Sequence, residues 1–311
     1  MIKLTSDQWN KLDAVFGENL QREVLLGRFT ASRVGGPADL LVTVESVDQL
    51  ADAATILWDL EIPFIIIGGG SNVLISDSGV RDVVILNRAK EIEINEVERS
   101  VWAGSGASFG QLARKVSSLG LSGLEWASGI PGTVGGAVFG NAGAHGGDVA
   151  GSLRMAEILH QASGRELWTV EKMGYSYRSS KLKQDEIQAV ILSARFHLER
   201  STTQTTKKLI EEYAAWRKKT QPPGASMGSI FKNPKDDYAG RLLDQAGLKG
   251  ARVGCAEISP EHANFFINKG GAKASDILSL IQLAQKEVAD HFGVELALEI
   301  KLLGDWEAHA G

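Results

Sequence analysis

The glycine-rich segment 68–72, Gly-Gly-Gly-Ser-Asn, has residue types suited to binding phosphate through the backbone. It comes directly after the apolar run Phe64–Ile67. Because glycine has no Cβ, backbone N–H groups in such a loop can approach a pyrophosphate closely. The segment therefore predicts a phosphate-binding loop, with a tight turn in a β-rich domain as the alternative.

Two common nucleotide-binding motifs are excluded at this loop. No helical pattern follows it, because Val73–Ile75 continues as an apolar strand, whereas G-x-G-x-x-G requires a helix there. The chain also lacks the G-x-x-x-x-G-K-[ST] motif of P-loop nucleotide hydrolases.

A second glycine-rich segment, 129–136, continues to residues 141–143. Eighteen of the 35 glycines lie between Gly68 and Gly151. Ordering glycine costs more conformational entropy than ordering any other residue, so a dense cluster needs a reason. The interleaved Ile130 and Val134 need burial, which favours a backbone surface for a flat or charged ligand over a flexible linker.

Predicted strands and helices flank these loops and must position them. Ser46 is the predicted N-cap of a helix that begins at Val47, after a strand over Leu40–Val44. Ser108 and Gln111 have capping-box spacing for a second helix, which Gly120 ends. Further strands are predicted over Val83–Leu86, Ile92–Ile94, Val101–Ala103, Leu153–Leu159 and Ala189–Leu198.

The pattern changes after residue 201, where we expect the main domain boundary. A helix is predicted over Thr202–Thr220, with an apolar stripe formed by Leu209, Ile210, Tyr213 and Trp216. The remaining predicted elements are a helix over Ala239–Ala246, strands near Arg252–Ile258 and Asn264–Asn268, a helix over Ser275–Phe292 ended by Gly293, and a strand over Val294–Leu303. The last strand alternates, so Glu299 and Lys301 lie opposite its apolar face.

Composition narrows the class of protein. The net charge of −5, with no basic block beyond clusters such as Arg217–Lys219, argues against a dedicated nucleic-acid or membrane-surface binder. The single cysteine, Cys255, excludes a disulfide framework and a multi-cysteine metal site, and its apolar neighbours predict burial. Without a signal peptide or an apolar run of about 20 residues, we expect a cytoplasmic protein without membrane insertion.

Together the motifs resemble those of the UDP-N-acetylenolpyruvoylglucosamine reductase family, flavoenzymes of peptidoglycan precursor synthesis. The matching segments, in the family's order, are Val34–Asp39, Gly68–Asn72, Gly129–Gly136, Asn141–Gly143, Tyr175–Arg178, Gly228–Pro234, Ala239–Leu242, Ala246–Gly250, His262–Asn264 and Leu298–Lys301. They cover about Phe29 to Asp305. The stretch between Arg178 and Thr202 is too short for the extra tyrosine-bearing loop of one branch, so the chain resembles the loop-lacking type II branch.

The resemblance implies an α+β protein: an FAD-binding fold of the vanillyl-alcohol-oxidase type in two subdomains, followed by a C-terminal α+β substrate-binding domain. The implied division is an N-terminal segment 1–28, an FAD-binding domain 29–201 that splits near 75–85, and a substrate-binding domain 202–311. Non-covalent FAD is the implied cofactor, NADPH the co-substrate, and a monomer the implied state. The implied FAD contacts are Gly68, Gly69, Gly70, Ser71, Asn72, Gly129, Ile130, Pro131, Gly132, Thr133, Gly135, Gly136, Asn141, Ala142 and Gly143.

The implied reaction reduces UDP-N-acetylglucosamine enolpyruvate to UDP-N-acetylmuramate. NADPH reduces the flavin, which passes the hydride to the enolpyruvyl β-carbon. Carried over by position, Arg178 and Glu299 would stabilise the resulting enolate, and Ser229 would protonate the α-carbon. Outside the motif context, the three would be read as a surface arginine, a solvent-facing carboxylate and a turn hydroxyl.

Seven further residues match substrate-binding positions of the family: Tyr175, Arg217, Gly228, Lys232, Asn233, His262 and His145. His145 stands where the family often has tyrosine, and it is equally consistent with an ordinary loop histidine. Ser32 and Gly140 also depart from the family pattern, which indicates altered packing around the flavin.

Two other functions compete with the reductase. One is an FAD-linked oxidase on the same fold, with oxygen as acceptor; the other is a catalytically silent protein that binds a UDP-sugar or another nucleotide. The joint presence of Ser229, Arg178 and Glu299 favours the reductase.

Overall fold

The structure is a computed structural model that describes residues 2–185 and 187–306. In the first 87 residues the elements are α1 (Ser6–Phe16), β1 (Leu20–Leu25), β2 (Pro37–Val44), α2 (Val47–Asp59), β3 (Phe64–Ile67), β4 (Val73–Ile75) and β5 (Val80–Asn87). Ser46 caps α2 as predicted, because its side chain accepts a hydrogen bond from the Gln49 N–H.

The middle of the chain adds β6 (Ile92–Asn95), β7 (Ser100–Gly104), α3 (Phe109–Ser117), β8 (Leu121–Ser122), α4 (Val134–Gly140), β9 (Gly143–Ala144), β10 (Gly147–Asp148), α5 (Val149–Ser152), β11 (Leu153–His160), β12 (Gly164–Trp168), α6 (Val170–Met173), α7 (Lys181–Gln184), β13 (Ala189–His197) and β14 (Glu199–Arg200). The last part contains α8 (Thr203–Thr220), α9 (Ala239–Gln245), β15 (Arg252–Val253), β16 (Ala256–Ile258), β17 (Phe266–Asn268), α10 (Ala274–Phe292) and β18 (Lys301–Leu303).

Two sheets form the first two-thirds of the fold. The first has the order β1-β2-β5-β3, with β1 antiparallel and the other pairs parallel. The second, β12-β11-β13-β7-β6, is antiparallel throughout. Leu40 and Ile85 of the first sheet share a buried core with Leu192 of the second. A separate core, which includes Phe109 and Phe196, joins the second sheet to α3 and α4.

The C-terminal part has its own core, built from α9, α10 and the sheet β15-β16-β17. Its last strand leaves that sheet, because β18 pairs in parallel with β4, directly after the 68–72 loop. This pairing carries the C-terminal residues to the first glycine loop.

The predicted strand over Val294–Leu303 is wrong for residues 294–300, because only Lys301–Leu303 is a strand. The preceding segment makes an isolated bridge between Phe231 and Leu298 and does not join a continuous ladder. The predicted alternation persists, since Leu296 and Ile300 are buried.

Strands are present near Arg252–Ile258 as predicted, as β15 and β16, separated by a turn in which Gly254 has φ 51°. Two further predictions from the sequence are wrong. Cys255 lies in this turn and is exposed, so it is not a buried apolar residue. The predicted apolar stripe of α8 also fails at Trp216, which is 60% exposed; the buried residue of this helix is Thr206.

No helix among residues 2–185 and 187–306 is long and apolar enough to span a membrane.

Candidate active site

The two glycine-rich loops lie against each other. The Ser71 hydroxyl donates a hydrogen bond to the Pro131 carbonyl over 3.3 Å. A Cβ added to Gly69 would lie 2.8 Å from the Gly132 Cα, and one added to Gly68 would overlap the Thr133 side chain. The Gly69 distance is too short for a side chain, so glycine is required where the two backbones meet.

The first loop presents a set of unpaired backbone donors. Within the described residues, the N–H groups of residues 68–72 donate no hydrogen bond to a protein atom. Its carbonyls are used instead: Gly70 accepts from the Ala31 N–H, and Gly68 accepts from the Arg88 guanidinium. Neighbouring free N–H groups form an anion site, which fits a diphosphate.

The first loop is also bonded to the segment that carries Glu299. The Asn72 side-chain amide donates to the Glu299 carbonyl over 3.1 Å, and the Asn72 carbonyl accepts from the Lys301 N–H over 3.0 Å. The loop and the Glu299 backbone are therefore held in one geometry, although they are 227 residues apart in sequence.

Arg178 lies in a tight turn fastened to α4. Ser176 and Ser179 exchange backbone hydrogen bonds across it, and Arg178 has a left-handed φ of 54°. The Tyr175 hydroxyl donates to the Val138 carbonyl, and the Ser180 hydroxyl donates to the Phe139 carbonyl. A strained non-glycine residue that its surroundings hold in place is often part of a functional site.

Arg178 and Glu299 form an ion pair. The Arg178 Nε lies 3.2 Å from the Glu299 Oε1, and the two side chains are 28% and 16% exposed. Burial raises the pKa of Glu299, while the charges of Arg178, Lys183 and Lys232 oppose that rise. The direction agrees with an acid that retains its proton to higher pH than an exposed glutamate does.

Ser229 lies on the segment next to Glu299. The Glu299 N–H donates to the Ile230 carbonyl over 2.8 Å, and Ser229 itself forms a bridge with Phe265. The preceding Gly228 has φ 76° and open space where a Cβ would point. The three predicted catalytic residues are thus on adjoining segments, with Arg178 and Glu299 in direct contact.

Lys183 and Lys232 bring two more positive charges to this pair. Lys232 is held opposite Ala297 by a backbone hydrogen bond of 2.9 Å. The Lys183 ammonium donates to the Arg178 carbonyl over 3.1 Å. Sequence reasoning found Lys232 through its motif but missed Lys183, although its position five residues after Arg178 was a usable signal.

A second group of predicted substrate residues gathers at α8. The His145 ring stacks on Tyr213, with 4.2 Å between centroids and 13° between planes. Burial and the nearby Arg217 lower the pKa of His145. Arg217 covers the second loop, since a Cβ on Gly129 would lie 2.5 Å from its Cδ. Sequence reasoning placed Tyr213 only in a helical stripe.

Other predicted residues make structural contacts. Asn141 has a left-handed φ of 45° at the end of α4, and its amide donates to the Ser176 carbonyl beside the Arg178 turn. Asn233 accepts a hydrogen bond from the Ala239 N–H at the start of α9. His262 accepts from the Asn264 N–H and packs edge-on against Phe265.

Burial also affects Tyr175 and His262. Burial raises the pKa of Tyr175 and lowers the pKa of His262. Tyr175 therefore remains a neutral hydrogen-bond donor to α4, and the His262 ring tends to the neutral form.

The remaining predicted flavin residues lie in or beside the second loop. Ile130 donates its N–H to the Ala127 carbonyl, and Gly135 donates to the Ser105 carbonyl. The Ala142 N–H donates to the Ala137 carbonyl. A Cβ on Gly143 would lie 3.0 Å from the Asp148 Cβ, whereas one on Gly136 would meet no atom closer than 3.9 Å. The face of α4 around Gly136 is therefore open.

Comparison with known proteins gives two matching family descriptions. Residues 38–169 match the family described as FAD binding domain. Residues 219–303 match UDP-N-acetylenolpyruvoylglucosamine reductase, C-terminal domain. The first match contains the two glycine loops, and the second contains Ser229 and Glu299.

Whole-chain relatives agree with these matches. The UDP-N-acetylenolpyruvoylglucosamine reductase of Chloroflexus aggregans is 42% identical over 283 residues, 89% of this chain and 95% of the relative. That of Bacillus subtilis is 40% identical over 280 residues, covering 90% and 92%. The crystal structure of the Thermus caldophilus enzyme superposes with a TM-score of 0.79 at 36% identity, covering 91% of this chain and 98% of that one. The predicted α+β fold with an FAD-binding domain of the vanillyl-alcohol-oxidase type is confirmed.

Proposed function

The chain belongs to the UDP-N-acetylenolpyruvoylglucosamine reductase family, FAD-dependent oxidoreductases of peptidoglycan precursor synthesis, and we propose that Arg178, Glu299 and Ser229 are its catalytic residues. The substrate is UDP-N-acetylglucosamine enolpyruvate, the product UDP-N-acetylmuramate, and the reductant NADPH. The observation that carries the proposal is the half-buried Arg178–Glu299 pair, with a separation of 3.2 Å, beside the Ser229 segment.

The two glycine loops fit the cofactor. The free N–H groups of residues 68–72 would hold the FAD diphosphate, and the open face of α4 around Gly136 leaves room for a planar ring. When bound, FAD supplies a hydride from NADPH to the β-carbon of the enolpyruvyl group. The hydrogen bond from the Asn72 side chain to the Glu299 carbonyl fixes the position of the cofactor site relative to Glu299.

Arg178 and Glu299 stabilise the charge that hydride addition creates. Addition at the β-carbon moves the double-bond electrons onto the α-carbon and its carboxylate. The Arg178 guanidinium offsets this charge, and protonated Glu299 donates a hydrogen bond to the enolate oxygen. Donors that are already in place are worth about 3–4 kcal/mol each in such sites.

Ser229 completes the reaction by giving its hydroxyl proton to the α-carbon. One hydride and one proton then saturate the double bond, and the serine recovers its proton from solvent. A serine alkoxide needs support, and its source in this proposal is Lys232, three residues further along the same segment.

Several features outside the chemistry belong to the same proposal. The substrate-binding set is Tyr175, Arg217, Gly228, Lys232, Asn233, His262 and His145. The contacts of Asn233, His262 and Tyr175 with their own chain give these three a role in shaping the pocket. We place the domain divisions at 1–28, 29–201 and 202–311, of which residues 1, 186 and 307–311 lie outside the described part of the chain, and we propose a monomer that works in the cytoplasm.

The reaction separates into two half-reactions that test the proposal. Under anaerobic conditions, NADPH should bleach the flavin absorbance of the purified protein, and the enolpyruvyl nucleotide should restore it. Protein without flavin would refute both the reductase and the oxidase. Flavin that NADPH bleaches, but only oxygen restores, would favour the oxidase.

Ser229→Ala tests the proton donor. The variant should be reduced by NADPH at a normal rate but should not be reoxidised by the enolpyruvyl nucleotide. Ser279→Ala is the matched control, because its hydroxyl lies exposed on α10 and bonds only to the Ser275 carbonyl. Equal losses in the two half-reactions would contradict the assignment of Ser229.

A further inference from the structure

Lys183 lies directly behind the Arg178 turn. It belongs to α7, which begins three residues after Arg178, and its ammonium donates a 3.1 Å hydrogen bond to the Arg178 carbonyl. Arg178 has a left-handed backbone, a strained conformation that persists only when surrounding contacts hold it, and the Lys183 hydrogen bond is one of these contacts. The lysine is half-buried.

The charge of Lys183 acts on the catalytic pair. It is one of three cations, with Arg178 and Lys232, that oppose the raised pKa of Glu299. Burial lowers the pKa of Lys183; Lys232, Arg178 and Lys301 lower it further, and Glu299 alone opposes them.

The site has an excess of positive charge. When Glu299 carries its proton, Arg178, Lys183 and Lys232 surround a neutral acid. Across residues 2–185 and 187–306, no carboxylate oxygen lies within 4.0 Å of the ammonium of Lys183 or Lys232. A half-buried cation with no carboxylate beside it among these residues is stabilised when an anion binds next to it.

We propose that Lys183 is a substrate-binding residue: it fixes the Arg178 backbone and, with Arg178, binds the carboxylate of the enolpyruvyl group. The assignment rests on the proposed function, because that carboxylate is the anion that must lie next to Arg178. It also gives this short-looped chain a substrate contact outside the family motifs that the sequence matches.

Three variants distinguish the effect of the Lys183 charge from that of its hydrogen bond and from a general effect on folding. Lys183→Gln retains a donor for the Arg178 carbonyl but removes the charge, and Lys183→Arg keeps charge and donor. Lys181→Gln is the matched control, because Lys181 is exposed on the same helix and loses the same charge. Bound FAD and the rate of flavin reduction by NADPH report whether each variant is intact.

The KM for the enolpyruvyl nucleotide should rise at least about tenfold in Lys183→Gln, since a charge-assisted hydrogen bond is lost, and stay within about threefold of wild type in Lys183→Arg. Flavin reduction by NADPH should be normal in each. A KM in Lys183→Gln within twofold of the Lys181→Gln value overturns the proposal, whatever happens to kcat. Wild-type protein that does not turn over the nucleotide at all would instead refute the proposed function.

The pH profile gives an independent readout. Because the pKa of Lys183 is lowered, its charge is lost as pH rises, at lower pH than for an exposed lysine. The wild-type KM should therefore increase on the alkaline side, while the KM of Lys183→Gln is already high and should increase less, because only the wild type loses the charge of Lys183. Lys232, Glu299, Arg178 and Lys301 face Lys183 in every variant, so a parallel alkaline rise in Lys183→Gln would overturn the assignment.

Discussion

Gly69→Ala tests whether direct contact between the two glycine loops builds the cofactor site. The new Cβ would lie 2.8 Å from the Gly132 Cα. Carbon atoms pack at about 3.5–4.0 Å, so the loops must separate by about 0.7–1.2 Å. Gly69 is not among the glycines with positive φ, so backbone strain adds nothing to this clash.

The expected cost follows from that displacement. Overpacking of this size destabilises by about 1–3 kcal/mol. The Ser71–Pro131 hydrogen bond, at 3.3 Å, would be stretched beyond its range, and the free N–H groups of residues 68–72 would move with it. We therefore expect the Kd for FAD to rise at least about tenfold, which corresponds to about 1.4 kcal/mol.

Two measurements check this expectation: urea unfolding of the apoprotein, and titration of apoprotein with FAD followed by flavin fluorescence. Gly140→Ala is the matched control for the unfolding measurement, because its Cβ would meet no atom within 4 Å at the end of α4. Alanine there should be neutral or stabilising by up to about 1 kcal/mol. A surface substitution usually changes the free energy of unfolding by up to about 0.5 kcal/mol. If Gly69→Ala changes that free energy by less than this amount and the FAD Kd by less than twofold, the contact between the loops does not build the cofactor site.

Four other variants, at three positions, test the rest of the site. Glu299→Gln should slow reoxidation by substrate about 10²- to 10³-fold. Because burial raises the pKa of Glu299, the protonated side chain stabilises the fold at low pH, and this contribution is lost as pH rises through that pKa. The free energy of unfolding in urea should therefore fall over this pH range in the wild type but not in Glu299→Gln. Identical pH dependence of the two unfolding free energies would contradict the raised pKa. Asn72→Ala removes the hydrogen bond to the Glu299 carbonyl, worth about 1 kcal/mol, and should both raise the FAD Kd about fivefold and lower kcat. An unchanged Kd would refute the idea that this bond holds the first glycine loop and Glu299 in one geometry. His145→Phe keeps a ring stacked on Tyr213, whereas His145→Ala removes it, so only the alanine variant should raise the substrate KM more than about threefold. Equal KM values in the two variants would exclude a role for the stacked ring.

Local sequence patterns predicted the elements around the first loop and the chemistry of the loops. The N-cap at Ser46, the strand Phe64–Ile67 and the end of α10 at Gly293 depend on residues within a few positions of one another. The glycines at 68–70 were also readable as a loop suited to a phosphate, but the atoms that a Cβ would meet there belong to Thr133, Gly132 and Phe29, which only the tertiary structure brings close. Motif spacing added the family and, through it, candidate residues.

Contacts between distant residues could not be predicted from local patterns. The alternation of Val294–Leu303 fits a strand, yet residues 294–300 lack a continuous partner and only β18 pairs, with β4. The exposure of Trp216 and Cys255 likewise depends on what lies across from them, which periodicity does not encode.

The sequence by itself determined the cofactor loops, the family and the identity of Arg178, Glu299 and Ser229 as candidates. The tertiary structure decided that Arg178 contacts Glu299 and that Lys183 supports the Arg178 turn. The physical reason is that burial and neighbouring charges set the pKa of Glu299, and local sequence does not encode either of them. They arise when the segment of Arg178 and Lys183, more than 100 residues earlier in the chain, packs against Glu299.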